Sequence, residues 1–257
     1  MSEIRIEKND VVATVVISNP RKLNAISVAM WNALTHAFTV LSQDESLRCV
    51  IVRGDDHNFA AGADVEEFST VRNTMAQGIR YHTETIAQAL HAISHCQHPT
   101  IAAIEGICVG GGLEIACACD LRIAAPSARF GIPINRLGFP LAPGELQHLL
   151  QLVGKAVVLE ILLEGRVFDA AEAKDKGLIH RVADDVPAEA VRTAKRIAQG
   201  APLAARMNKR LVNRLAAQPE PLTDQELRES FAFLASQDYR EGVQTFLAKR
   251  KPVFSGK

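Results

Sequence analysis

The sequence predicts an α/β fold. β-branched runs alternate with amphipathic stretches from Val11 to Ala125, two of those runs end in turns of very small residues, and beyond about Pro143 strand signals nearly vanish. Ile4 to Glu7 alternates in polarity and Val11 to Ser18 is β-branched, so Asn9-Asp10 between them predicts a hairpin-like start. From Ser27 to about Gln43 the residues Met30, Leu34, Phe38 and Leu41 recur three and four apart, which predicts a helix with one buried face. Cys49 to Arg53 reads as a buried strand, followed by a polar turn at Gly54 to Asn58 and then Phe59-Ala-Ala-Gly-Ala-Asp64. A helical stretch from Thr74 to Cys96 comes next, then a buried strand at Thr100 to Glu105, a helix opened by Gly110-Gly-Gly, and a strand at Leu121 to Ala125. Later helices are expected to start at Asp169-Ala-Ala-Glu172, Thr223-Asp-Gln-Glu226 and Asp238-Tyr-Arg-Glu241, each of the capping-box form. The chain divides into an α/β core at 1–195 and a C-terminal helical region at 196–257, whose apolar faces suit self-association.

Composition narrows the function classes. In 257 residues, 29 Lys and Arg balance 29 Asp and Glu, so no net field exists to hold a nucleic acid or an anionic membrane surface. No run approaches the ~20 apolar residues of a membrane span. The start MSEIRIEKND lacks the apolar stretch of a secretion signal, so a cytoplasmic protein is expected. The five cysteines, Cys49, Cys96, Cys108, Cys117 and Cys119, are odd in number, sit in apolar contexts and lack CxxC spacing, which predicts reduced core thiols. His91, His95 and His98, around Cys96, could share a helical face but have no nearby carboxylate. They read as surface or core histidines, and no metal is expected.

The chemistry concentrates in Phe59-Ala-Ala-Gly-Ala-Asp64 and Gly110-Gly-Gly-Leu-Glu114. Small side chains admit a ligand to the backbone, and the first amides of a helix have no intrahelical acceptor. If the two turns face each other, one N–H from each can hold a single oxygen on which charge develops. The glycines fit neither GxGxxG nor GxxxxGK[ST], which removes the dinucleotide and P-loop readings. Close packing alone would also explain a glycine turn. Glu114 lies in Leu-Glu-Ile-Ala-Cys-Ala-Cys, apolar nearly all round, where an unpaired carboxylate is costly. It is a candidate general acid or base, the alternative being a structural carboxylate near a helix N-terminus.

These residues resemble the crotonase, or enoyl-CoA hydratase/isomerase, superfamily over nearly the whole chain. Asn19-Pro-Arg-Lys-Leu-Asn-Ala-Ile, the two small-residue turns, Asp120-Leu-Arg-Ile-Ala, Ala128-Arg-Phe-Gly-Ile-Pro and Glu241-Gly-Val-Gln-Thr-Phe-Leu-Ala-Lys-Arg-Lys-Pro follow its motifs in order and spacing. The resemblance implies a spiral of strand-strand-helix units and a C-terminal helical region that builds homotrimers or dimers of trimers. It implies an acyl-CoA thioester substrate, with coenzyme A entering only as part of that substrate and no tightly bound cofactor. Carried over by position, the amides of Ala63 and Gly111 would form an oxyanion hole. Arg21, Lys22, Leu23, Ala61, Asp64 and Val65 would line the CoA path, and Phe246 and Lys249 on the C-terminal helix would touch its end, often from a neighbouring subunit. Phe246 as core and Lys249 as a solvated charge are the plainer alternatives.

One departure bears on the reaction. Family hydratases carry a second glutamate directly after the Phe-Gly-x-Pro turn, where this chain has Ile134. Glu145, eleven residues on, is the candidate to replace it, or else caps the helix after Pro143. Lysine is common in the family where Glu66 stands. The expected activity is enoyl-CoA hydration through an enolate, with Glu114 as the proton-transfer group. Isomerisation, lyase or decarboxylase chemistry, and acyl-CoA binding without turnover are the alternatives.

Overall fold

The computed structural model describes residues 2–217 and 220–257. Strands β1 (Glu3–Asn9) and β2 (Val12–Ser18) form the expected antiparallel hairpin, turning at Asp10, which takes a positive φ of 53°. Helix α1 (Val28–Gln43) is capped by the Ser27 hydroxyl, which accepts from the Met30 N–H, and it buries Met30, Trp31, Leu34, Ala37, Phe38 and Leu41. β3 (Cys49–Gly54) then lies parallel to β2.

The predicted helical stretch from Thr74 is not one regular helix. A short α2 (Phe68–Val71) precedes α3 (Met75–Arg80), which opens with a full Thr74–Gln77 capping box. A π-helical turn, Tyr81–Ile86, links it to α4 (Ala87–Ser94). β4 (Thr100–Ile104), β5 (Ile107–Val109) and α5 (Gly111–Ala118) follow, then β6 (Leu121–Ala124), β7 (Arg129–Gly131) and α6 (Pro143–Glu164).

The main sheet has the order β1-β2-β3-β4-β6-β9, and a smaller one the order β5-β7-β8, where β8 is Phe168–Asp169 and β9 is Arg181–Val182. β4, β5 and α5 make one strand-strand-helix turn, and β6, β7 and α6 the next. Each turn gives one strand to each sheet, so the chain winds as a spiral. An isolated parallel bridge from Ala60 to Cys108 adds the first small-residue turn to the smaller sheet.

The remaining helices are α7 (Ala170–Asp175), α8 (Val186–Ala198), α9 (Pro202–Ala217), α10 (Asp224–Ser230) and α11 (Gln237–Leu247). α8 covers the main sheet with Val186, Ala190 and Ala194 against Cys49, Ile51, Ile101 and Ile123. α9 is tied to the core through Lys209, whose ammonium meets Asp120 at 2.8 Å and donates to the His98 carbonyl at 3.0 Å. The expected C-terminal region includes residues 218 and 219, which lie outside the described residues.

Several expectations are corrected. Asp238 does not cap a helix: Ser236 caps α11, while the buried Asp238 carboxylate accepts from the Ser255 and Gly256 amides at 2.7 and 3.0 Å and pins the chain end. Asp169 does cap α7, but Glu172 turns away to Arg166 and Lys176 instead of closing a box. Lys249 lies past the end of α11 with a φ of 53°, not on that helix. α6 is long and apolar enough by length and composition to cross a membrane, contrary to the sequence expectation. Gly154, at φ 72° and ψ 171°, breaks it into two shorter helices.

The five cysteines are buried and unpaired, as expected. Burial pushes the thiols of Cys49, Cys117 and Cys119 up to about 12, which leaves them inert.

Candidate active site

The motif from Asn19 to Ile26 is a braced loop. Asn24, buried at φ 59°, donates from its amide to the Asp55 and Asn58 carbonyls, both at 2.7 Å, and accepts from the Asn19 N–H at 2.8 Å. This holds Arg21, Lys22 and Leu23 on the surface. The Leu23 carbonyl accepts from the Ala61 N–H at 3.0 Å, joining the loop to the first small-residue turn. Lys22 is already paired, with Asp64 and Glu66 each at 2.7 Å from its ammonium. Val65 is exposed beside them.

The two turns do face each other. A parallel bridge between Ile26 and Ala63 uses the Gly62 carbonyl and the Asp64 N–H, so the Ala63 N–H between them points the other way. Gly62 has φ 96°, and a Cβ there would lie 3.1 Å from the Val109 carbonyl and 3.3 Å from the Gly111 nitrogen. A Cβ on Gly111 would lie 3.5 Å from the Ala63 nitrogen and 2.9 Å from Cζ2 of Trp31. Only glycines permit this approach. Gly111 is the first residue of α5, so its N–H has no acceptor within the helix. Two such donors at one gap, with the positive end of α5 behind them, suit an oxygen that gains charge.

The other end of α5 is neutralised from within. Arg122, 2% exposed, donates to the Ala116, Cys119 and Leu178 carbonyls at 3.2, 2.5 and 2.8 Å, placing a cation on the negative end of the helix. Asp120 binds the Thr100 N–H and hydroxyl at 2.7 and 3.0 Å. The Asp120-Leu-Arg-Ile-Ala motif therefore anchors α5.

Glu114, one turn into α5, is 6% exposed. Burial, and after it the Glu145 carboxylate, push its carboxyl well above the ordinary 4.5. Glu145 is 3% exposed, in the first turn of α6, and its carboxylate accepts from Nδ1 of His82 at 2.6 Å. It bonds a side chain rather than free helix amides, so capping does not account for it. Tyr81, next to His82 in the π-turn, is buried, and burial, followed by the charges of Glu145, Glu67 and Glu114, raises its hydroxyl above its ordinary value. Its ring meets His82 and Phe68 edge-on at 5.2 and 6.2 Å. Ile134 is a half-buried apolar residue packed on the core.

Sequence reasoning assigns no role to His82, and it includes Tyr81 and Arg72 only in a segment, Phe68 to Tyr81, on which pocket length depends. The π-turn that rotates the first two inward had no signal in an apparently regular amphipathic stretch. His91 and His95 stack at 3.8 Å, and among the described residues no group of three metal-type ligands converges. Two cavities, of about 1250 and 500 Å³, lie along the C-terminal helices, the first also lined from α1, α4 and α6; neither is lined by Ala63, Gly111 or Glu114. Phe246, 83% exposed, borders the second.

Comparison with known proteins agrees with this architecture. The enoyl-CoA hydratase/isomerase family model matches residues 7–257. The chain is 37% identical to a "Probable enoyl-CoA hydratase" of Mycobacterium tuberculosis, over 98% of this chain and 97% of that one. It is 30% identical to the mitochondrial Delta(3,5)-Delta(2,4)-dienoyl-CoA isomerase of Dictyostelium discoideum, over 98% and 90%. A crystal structure described as an enoyl-CoA hydratase/carnithine racemase, from Magnetospirillum magneticum, superposes with a TM-score of 0.96 at 45% identity, covering 100% of this chain and 97% of the other. An enoyl-CoA hydratase from Bacillus anthracis superposes with a TM-score of 0.89 at 29% identity, covering 99% of each. A spiral of strand-strand-helix turns, two glycine turns brought amide to amide and a match running to the last residue have one reading: the chain belongs to the enoyl-CoA hydratase/isomerase family of the crotonase superfamily.

Proposed function

We propose that the protein hydrates an enoyl-CoA thioester, with the Ala63 and Gly111 amides holding the thioester oxygen. The observation that carries this reading is the buried pair Glu114 and Glu145, one carboxyl pushed well above its ordinary value by burial and the other bonded to His82. Two carboxyls in unlike surroundings divide into an acid and a base. Glu145 takes a proton from water, whose oxygen bonds to the β carbon. The double-bond electrons move to the thioester oxygen between the two amides, and the enolate then collapses as Glu114 gives its proton to the α carbon. Glu145 thus supplies the second carboxyl that is missing at Ile134.

Arg21, Lys22, Leu23, Ala61, Asp64 and Val65 line the approach for the CoA portion in this reading, and Phe246 and Lys249 reach it from a neighbouring copy. Exposed Phe231, Leu234, Phe246, Leu247 and Val253 support self-association of the C-terminal region as a trimer or dimer of trimers. The balanced charge and reduced thiols suit a cytoplasmic enzyme, and in this reading coenzyme A enters only as part of the substrate. Isomerisation is the second reading, favoured by Ile134, since moving a proton between two carbons needs one carboxyl alone.

Incubation with crotonyl-CoA in D2O tests the proposal. Loss of enoyl absorbance with one deuterium at the α carbon is expected. Exchange or double-bond migration without hydration would overturn it in favour of the isomerase.

A further inference from the structure

Arg72, just after α2, is held by aromatic rings rather than by an acidic partner among the described residues. Its guanidinium carbon lies 4.3 Å from the centre of the Phe68 ring and 4.0 Å from that of Phe139, so the group is held between two aromatic rings. Nη1 is fully buried and has no hydrogen-bond partner. Among the described residues no carboxylate pairs with this arginine. The ring faces favour the cation, but the N–H groups in the guanidinium plane gain no acceptor from them. A buried charged donor without an acceptor is costly, and in a native fold it calls for an explanation.

Its position supplies one. Phe68 and Phe139 meet edge-on at 6.0 Å, and Phe68 meets Tyr81 at 6.2 Å. Tyr81 in turn meets the His82 ring at 5.2 Å, and Nδ1 of His82 lies 2.6 Å from the Glu145 carboxylate. A continuous layer of aromatic rings therefore runs from the guanidinium to the wall that holds Glu145. Glu67, the nearest acid in sequence, is engaged elsewhere, accepting from the Val28 N–H at 2.7 Å. A guanidinium fixed in one plane presents the paired donors that match a carboxylate.

We propose that Arg72 is the anion subsite for the far end of the acyl group, so that the preferred substrate is the CoA thioester of a dicarboxylic acid. The proposal rests on the acyl-CoA reading above. The test is calorimetric binding of glutaryl-CoA and adipyl-CoA against pentanoyl-CoA and hexanoyl-CoA, with free CoA as a further ligand, to the full-length protein and to Arg72→Met. The expected result is a dicarboxylyl-CoA bound about tenfold or more tighter than its uncharged counterparts, with the preference lost in Arg72→Met and pentanoyl-CoA affinity unchanged. Equal affinity of the wild-type protein for both classes overturns the proposal and leaves the acyl-CoA reading standing, whether or not the variant folds. Uniform weakening of all ligands, free CoA included, also overturns it, since Arg72 would then meet a CoA phosphate. Failure of every thioester to bind overturns both readings.

Discussion

Nδ1 of His82 and a carboxylate oxygen of Glu145 lie 2.6 Å apart in the buried wall that also holds Glu114, although 63 residues separate them in the chain. The contact links a π-turn to the first turn of α6 and gives the Glu145 carboxylate a hydrogen-bond donor. Glu145→Gln is expected to slow hydration by ~10²–10⁴ while α-proton exchange persists. His82→Gln is expected to lower kcat with little change in KM, because the Glu145 carboxylate loses the donor that orients it. An unchanged kcat would mean that His82 only packs.

Glu114 is expected to link pH to both activity and stability. Its folded-state value is raised, so the native protein keeps a proton that the unfolded chain releases. The contribution is fully present below about 4.5, the ordinary value, and is lost as pH rises through the raised one. Glu114→Gln should abolish hydration yet raise Tm at pH 8 by roughly 2–4 °C, the shift that about 1 kcal/mol makes in a chain of this size, and by less at pH 5. Thermal melts at the two pH values check this, and a variant equally or less stable at pH 8 would contradict it.

Gly111 and Gly112 are adjacent but should fail differently. A methyl on Gly111 meets the end of the Trp31 ring at 2.9 Å and crowds the gap beside the Ala63 nitrogen. Gly111→Ala should therefore lower kcat by ~10²–10³ with a modest loss of stability. A methyl on Gly112 would collide with the Ala60 carbonyl oxygen, backbone that cannot yield without moving the Ala60 bridge. Gly112→Ala should cost about 1–3 kcal/mol in denaturant unfolding. A Gly111→Ala enzyme of full activity would remove that amide from the mechanism.

His98 should contribute to acid unfolding. Burial first, and then the charges of Arg206 and Lys209, depress it to about 4, against donation from Nε2 to the Leu41 carbonyl at 3.1 Å. A depressed histidine stabilises the fold above about 6.5, its unfolded value, and that contribution is lost as pH falls toward about 4. His98→Gln should flatten the fall in Tm between pH 7 and pH 4 relative to the native chain. A parallel fall in both would assign the acid sensitivity to carboxylates instead.

The sequence by itself determined the local elements and their chemistry. β-branched runs could only be strands, period-four apolar residues could only line a helix face, and two turns of the smallest residues could only be places where backbones approach. Glu114 was legible for the same reason, since a carboxyl in an apolar helix start has no water to pair with. The tertiary structure alone decided what those elements meet. Asp238 has the spacing of a helix cap but binds the chain end. Glu145 has the position of a cap but binds a histidine, and α6 has the apolar length of a membrane span but breaks at Gly154. The partners of His82 and Arg72 carried no signal in the sequence, because a side chain's role depends on partners brought to it by winding the spiral, and local propensity contains no term for contacts between residues far apart in the chain.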